Sequence, residues 1–174
     1  MHPALTRWDR TTLAARADDV LAVYAEAMEV PLATAHSRRG ILLSHLDREG
    51  LRAVAASDGS RLVGIAYGYI GHPGQWWHDQ VGASMPRELA EVWLAHAFEV
   101  CELHVLPSHQ GRGLGRALLD DLLAGTGART GVLTTPDRET RARGFYRAGG
   151  WVDLVTGLRF PGDPRVFAVL GKQL

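Results

Sequence analysis

Residues 102–119 read ELHVLPSHQGRGLGRALL: an alternating apolar run, a proline, then Gly111, Gly113 and Gly115 at every second position, leading into a helical apolar beat. A strand, a bare turn and a helix in that order put the turn at the carboxyl end of the strand and the amino end of the helix. The first turn of a helix leaves four N–H groups without intrahelical partners and carries about half a unit of positive charge, so an anion docks there readily. Glycines let backbone amides approach phosphate oxygens and allow φ values that other residues avoid. Arg112 and Arg116, four apart, add charge; charge-assisted bonds of this kind contribute about 1.5–3 kcal/mol each. The dinucleotide pattern G-x-G-x-x-G does not fit, because its third glycine falls on Arg116, and the loop G-x-x-x-x-G-K-[ST] fails for want of a lysine. Taken alone, the glycine turn suits a tight structural turn as well as a phosphate site.

Outward from this stretch, FEVCELHVLP predicts the strand, LGRALLDDLLAG a helix closed by Gly125, and GVLTTP a second strand, which together make a βαβ unit. Residues 138–148 can form one more helix, and WVDLVTGLRF with RVFAVLGKQL predict a terminal hairpin around Pro161-Gly162-Asp163. Upstream, Val20, Leu21, Val23, Tyr24, Ala27 and Met28 recur at helical spacing over 17–30 and stop at Pro31. A second helical stretch is expected over roughly 33–48. LRAVAASDGSRLVGIAYGYIG then predicts a hairpin around Ser57-Asp58-Gly59. GHPGQWWHDQVGASMP is expected to be irregular, and RELAEVWLAHAF to be a helix with Leu89, Val92, Trp93 and Ala97 on one face. The class is α/β, with hairpins added at both ends.

A chain of 174 residues, 46% hydrophobic and 22% charged, is long enough for one well-buried core, so a single domain over 1–174 is expected. No run approaches the roughly 18 apolar residues of a membrane span, and MHPALTRWDR has no apolar signal core, which together suggest a cytoplasmic protein with no membrane partner. Nineteen basic residues, all but Lys172 arginine, balance nineteen acidic ones. That balance offers no overall field for a polyanion, and nucleic acid is not the expected partner. The single cysteine, Cys101, excludes an internal disulfide and a thiolate-cluster metal site; it is expected to be a small buried hydrophobe.

The 102–119 stretch resembles the core motif of the GNAT superfamily of acyl-CoA-dependent N-acyltransferases. The matching positions are Leu103 and Val105 on the strand, then Gln110, Gly113 and Gly115 in the turn. A second family segment, Asn-x-x-Ala-x-x-apolar-Tyr with Gly and an aromatic following, is met by Ala142, Phe145, Tyr146, Gly150 and Trp151, with Glu139 at the asparagine position. The likeness spans residues 50–174 well and the amino-terminal helices loosely. It implies a GNAT-like fold: a mixed, mostly antiparallel sheet of six or seven strands flanked by helices, with a splayed central parallel pair. It implies acetyl-CoA as cosubstrate and no metal. Gln110 and the amides of Gly111, Arg112, Gly113, Leu114, Gly115 and Arg116 would cradle its pyrophosphate. The backbone of Leu103, His104 and Val105 would pair with the pantetheine arm like an added strand, and Ala142 would contact the same cosubstrate.

The implied reaction moves an acetyl group to a primary amine, of a small molecule or a peptide, by direct attack in a ternary complex. An amine of reference pKa about 10.4 is mostly protonated near neutrality and needs a base, and the departing thiolate, of pKa about 8.5, benefits from a nearby hydroxyl. Tyr146 suits the second task, because a phenol of pKa about 10 keeps its proton at pH 7. For the base, strand alternation sends Glu102 and His104 to one face and Leu103 and Val105 to the other. A desolvated Glu102 with a raised pKa ranks slightly above His104, and a water relay to either remains open. The segment 71–99 is where the family builds its acceptor pocket; aromatic walls and carboxylates suit a cation, and Trp76, Trp77 and His78 are its candidate lining. A non-catalytic acyl-CoA-binding or sensing module is the alternative, kept open by Glu139. A tRNA-acetylating toxin of the same superfamily is disfavoured by the zero net charge and the lack of a lysine-rich face. Two copies of the chain could pair as a homodimer.

Overall fold

The computed structural model describes residues 3–174. Its seven strands are β1 (Ala4–Trp8), β2 (Arg52–Asp58), β3 (Arg61–Ile70), β4 (Ala97–Val105), β5 (Thr130–Pro136), β6 (Val152–Leu158) and β7 (Phe167–Gln173). They form one sheet in the order β1-β2-β3-β4-β5-β7-β6, mostly antiparallel with one parallel pair, flanked by helices. The expected class holds, at the upper of the two strand numbers. The chain divides into two compact units, the first made of residues up to Tyr69 with Val100–Thr126, the second of Ile70–Glu99 with Gly127–Leu174.

The first unit begins with a strand the periodicity did not reveal, β1 (Ala4–Trp8), and a short helix, α1 (Arg10–Ala15), capped by Asp9, whose carboxylate accepts from the Thr12 amide. Four of the five β1 side chains are exposed. The strand is held by its backbone ladder to β2 rather than by an apolar face. Helix α2 (Ala17–Met28) confirms the 17–30 pattern: Val20, Leu21 and Val23 are buried, with Asp18 and Asp19 favourably placed in its first turn. Met28, expected on the same face, is 41% exposed.

The single helix expected over 33–48 is broken into α3 (Leu32–His36) and α4 (Arg39–Ser44). The Ser37 hydroxyl donates back to the Thr34 carbonyl and the Ser44 hydroxyl to that of Ile41, a local competition with the helical ladder at both helix ends. The predicted hairpin is β2 (Arg52–Asp58) with β3 (Arg61–Ile70), antiparallel with one register shift at Ala56/Ser57. Nine of the ten β3 residues are buried, the mark of a strand covered on both faces. Strand β4 (Ala97–Val105) ends in this unit, followed by a 3-10 turn over Pro107–His109 and helix α7 (Leu114–Leu123). Leu114, Leu118, Leu119 and Leu122 form the buried stripe of α7; burying each is worth roughly 1.5–3 kcal/mol.

In the second unit, the stretch expected to be irregular contains a helix, α5 (Trp76–Ala83). Gln75 Oε1 accepts from the His72 amide and the Asp79 carboxylate from the Gly74 amide, so side chains close the turn that precedes it. Helix α6 (Arg87–Trp93) is shorter than the expected one. Val92 is exposed rather than on its apolar face, and Ala97 already opens β4. The Trp93 carbonyl accepts from the Thr130 hydroxyl at 2.8 Å, a tertiary bond that fixes the end of α6. The start of β4 runs parallel to β5 (Thr130–Pro136) over Ala97↔Thr130 to Glu99↔Val132. Helix α8 (Arg141–Ala148) follows, then β6 (Val152–Leu158) and β7 (Phe167–Gln173), the predicted terminal hairpin. Val81, Met85, Leu94, Phe160, Phe167 and Val169 make the core of this unit. No helix among the described residues is long and apolar enough to cross a membrane.

Candidate active site

The turn between β4 and α7 has the backbone that its glycines foretold. Gly111 (φ 76°) and Gly113 (φ 81°) both occupy the left-handed region, while Gly115 lies in the first turn of α7. Gly113 is the N-cap of α7, and no side chain caps the helix. A Cβ built on Gly113 would meet nothing within 4 Å, so the helix end faces open space. Beside it lies a cavity of about 530 Å³ lined by Asp58, His109, Arg112, Gly113, Leu114 and Ala117, with Pro3 and Leu5. Bare amides, the positive end of a ten-residue helix and an exposed arginine suit a phosphate-bearing ligand. The Gln110 Nε2 donates to the Val105 carbonyl at 2.9 Å and pins the turn to the end of β4. Leu103 is half-buried and Val105 buried.

Glu102 and His104 meet as strand alternation required. His104 Nε2 lies 2.5 Å from Glu102 Oε2. The other carboxylate oxygen, Oε1, accepts from Arg38 Nη2 at 2.6 Å, and Arg38 comes from the link between α3 and α4. Burial pushes the Glu102 carboxyl up, but His104 and Arg38 outweigh it and hold the group below its ordinary 4.5. The expected raised pKa is therefore corrected: a carboxylate with both oxygens engaged by donors is a poor proton acceptor near neutrality. A recess over the pair is lined by Tyr24, Arg38, Ile41, Leu42 and Tyr67 as well as Glu102 and His104. The Arg38 guanidinium stands 4.7 Å over the Tyr24 ring, and the Tyr24 and His104 rings stand perpendicular with centroids 5.1 Å apart. Cys101, next on the strand, is half-buried rather than fully buried.

Arg38 and Tyr67 were not singled out in the sequence, and Tyr24 only as part of a helical stripe. Arg38 pairs across 64 residues of chain, and no local spacing signals such a partner. Tyr67 sat in a strand with nothing to mark it; its hydroxyl bonds to His45 Nδ1 at 3.2 Å.

In the second unit, Tyr146 is buried on α8, its ring 5.2 Å from that of Phe145 and 5.7 Å from that of Trp151. Ala142 is exposed in the first turn of the same helix. Glu139, at the variant position, pairs with Arg147 at 2.9 Å. Trp76, Trp77 and His78 lie on helix α5 and point differently. Trp76 is 56% exposed, with its ring 5.2 Å from that of Phe160. Trp77 packs against the core of the unit and donates weakly to the Thr134 hydroxyl at 3.4 Å. His78 is half-buried, its ring 3.4 Å from where a Cβ on Gly71 would sit.

Comparison with known proteins agrees with this geometry. The model of the acetyltransferase (GNAT) family matches residues 17–150. A GCN5-like protein acetyltransferase of Mycobacterium tuberculosis is 38% identical over 91% of this chain and 92% of its own. Among solved structures, a protein of the GNAT family from Desulfovibrio desulfuricans superposes with a TM-score of 0.69 at 17% identity, covering 98% of each chain. The PaiA N-acetyltransferase of Thermoplasma acidophilum, crystallised in complex with coenzyme A, gives a TM-score of 0.65 at 13% identity over the whole of both chains. At such identities the likeness is one of fold.

Proposed function

The chain belongs to the acetyltransferase (GNAT) family, and we propose that it transfers an acetyl group from acetyl-CoA to a primary amine by direct attack in a ternary complex. The uncapped Gly113 end of α7, with open space and a cavity beside it, carries this reading. The amides of residues 111–116 would hold the pyrophosphate, Arg112 and Arg116 would add charge, and the Leu103–Val105 backbone and Ala142 would bind the pantetheine arm. Acetyl-CoA supplies an acyl carbon activated as a thioester. Every other task falls to side chains of the chain itself. His104 takes the proton from the amine, with Glu102 accepting from Nε2–H so that Nδ1 is the ring nitrogen with a lone pair. Glu102 then orients the imidazole and stabilises its charged form, rather than serving as the base. Tyr146 offers its hydroxyl to the departing sulfur. Trp76 and His78 are retained as acceptor-lining candidates, while Trp77 serves packing.

A protein amine is the first acceptor to try, because the mycobacterial relative bears the name of a protein acetyltransferase. The test follows free-thiol release from acetyl-CoA across a panel of polyamines, aminoglycosides and peptides bearing either a free amino terminus or a lysine. Thiol release above the hydrolytic background with at least one amine, matched by acetylated product in the mass spectrum, is the expected result. Coenzyme A binding with no turnover on any amine would favour the binding module instead.

A further inference from the structure

Arg38, Glu102, His104 and Tyr24 close a circuit. Arg38 bonds to one oxygen of Glu102 and His104 to the other, the His104 ring packs perpendicular to that of Tyr24, and the Tyr24 ring lies under the Arg38 guanidinium. The four side chains come from α2, the α3–α4 link and β4. A salt bridge serving stability alone needs two members. This one encloses an imidazole whose side chain is 12% exposed and which lines a recess.

We propose that Arg38 is a positioning residue for the reaction: it holds one oxygen of the Glu102 carboxylate so that the other stays turned to His104, and its positive charge offsets that of the carboxylate beside the imidazole. The inference rests on the reading of His104 as the base. A carboxylate bonded only to His104 could rotate about its own torsions and would bias the imidazole toward its protonated form, which is useless as a base. The guanidinium opposes both effects, and its planar fork holds a carboxylate oxygen in a set direction.

The ionisable groups that line the recess with His104 come from four elements. From β4 there is Glu102, from α2 Tyr24, from the α3–α4 link Arg38, and from β3 Tyr67. Burial pushes the Tyr67 phenol well above its ordinary value, so it carries no charge in the working range. His45, bonded to Tyr67, is held below its ordinary 6.5 by burial and by Arg48, and adds little charge at neutrality. Arg48 itself stands over the Tyr69 ring at 5.8 Å.

The experiment compares wild type with Arg38→Met, Arg38→Gln and Arg38→Lys. The first two remove the charge in different ways, so that one failing to fold leaves the other to be read. The readouts are the pH profile of kcat/KM with the best amine of the panel and the NMR titration of the His104 ring. In Met or Gln variants, the acid limb and the His104 titration should both move up by about one pH unit. Activity at pH 7 should fall about tenfold, with the KM for acetyl-CoA unchanged within about twofold. Lysine should restore the titration toward wild type. A His104 titration unmoved in both neutral variants overturns the proposal and leaves Arg38 a structural tether. His104→Gln separates the two levels: an acid limb that survives it removes the base assignment, while the ring titration in the Arg38 variants still reports the coupling.

Discussion

Helices α7 and α8 begin in opposite ways. The α7 helix starts on Gly113, in the left-handed region, with no side-chain cap and an exposed Arg112 beside it. The α8 helix starts on Thr140, extended, whose hydroxyl accepts from the Arg143 amide at 3.1 Å. The nearby cation of α8 is also engaged: Arg143 is bound to Asp137 and Asp153, and Asp137 in turn accepts from the Gly157 amide at 2.7 Å. A Ser, Thr or Asp N-cap stabilises a helix by about 1 kcal/mol. The chain takes that gain at α8 and forgoes it at α7. A helix end left bare and cationic is open to an anion, whereas one closed by its own side chains is finished by folding alone.

The largest effect expected on this contrast comes from Gly113→Asp. The carboxylate would occupy the place proposed for a pyrophosphate, and coenzyme A affinity measured by calorimetry should fall a hundredfold or more. Stability should change by only about 1–2 kcal/mol, the strain of a left-handed non-glycine residue, because a Cβ there meets no neighbour. Unchanged affinity would move the anion site elsewhere. Tyr146→Phe keeps the ring packing against Phe145 and Trp151 and removes one oxygen. Turnover should drop about a hundredfold at nearly constant acetyl-CoA affinity, the lower end of what a general acid contributes because a phenol is a weaker acid than the thiol it assists. Wild-type turnover with a chemistry-limited substrate would make Tyr146 a core aromatic.

The closed end of α8 is tested through pH. The Arg143 hydrogen bond holds the Asp137 carboxyl below its ordinary 3.8. At Asp153 burial works upward, but Arg143 and Arg147 outweigh it and the group is held low as well. Depressed carboxyls contribute stability that is whole above their unfolded values and is lost as pH falls through the folded ones. Arg143→Met should therefore melt earlier than wild type at pH 7, and the two melting temperatures should converge as pH falls below the ordinary carboxyl value of 3.8. A constant gap would mean that Arg143 acts through packing alone. The smallest effect belongs to Thr140→Ala: a loss of about 1 kcal/mol in chemical denaturation, with coenzyme A affinity within about twofold of wild type. A large loss of affinity would show that the two helix ends are not functionally distinct.

Local spacing made the glycine turn readable in the sequence. The strand, the two left-handed glycines and the α7 stripe all lie within one 26-residue stretch, 97–122, and each is dictated by its neighbours. The 52–70 hairpin and the β6–β7 pair were legible for the same reason. What escaped depends on distance. Strand β1 has no apolar alternation and exists through its ladder to β2. Helix α5, eight residues long, is too short to declare a period and sits behind a Pro-Gly pair. The direction of the Glu102 shift was misjudged because a strand pattern reports burial but not the arginine waiting 64 residues away. Trp77 belongs to a packed core and Trp76 to the surface, a difference that adjacent identical residues cannot express.

The central claim, that the open end of α7 is the phosphate cradle of an acetyl-CoA-dependent transferase, is tested most directly by following backbone amides in NMR spectra as coenzyme A is added. The account predicts large shifts and slowed exchange at Gly111, Gly113, Leu114, Gly115 and Arg116, with the Arg143 amide, already held by Thr140, keeping the protection it has in the free protein. Saturable binding that leaves the 111–116 amides unmoved would contradict it.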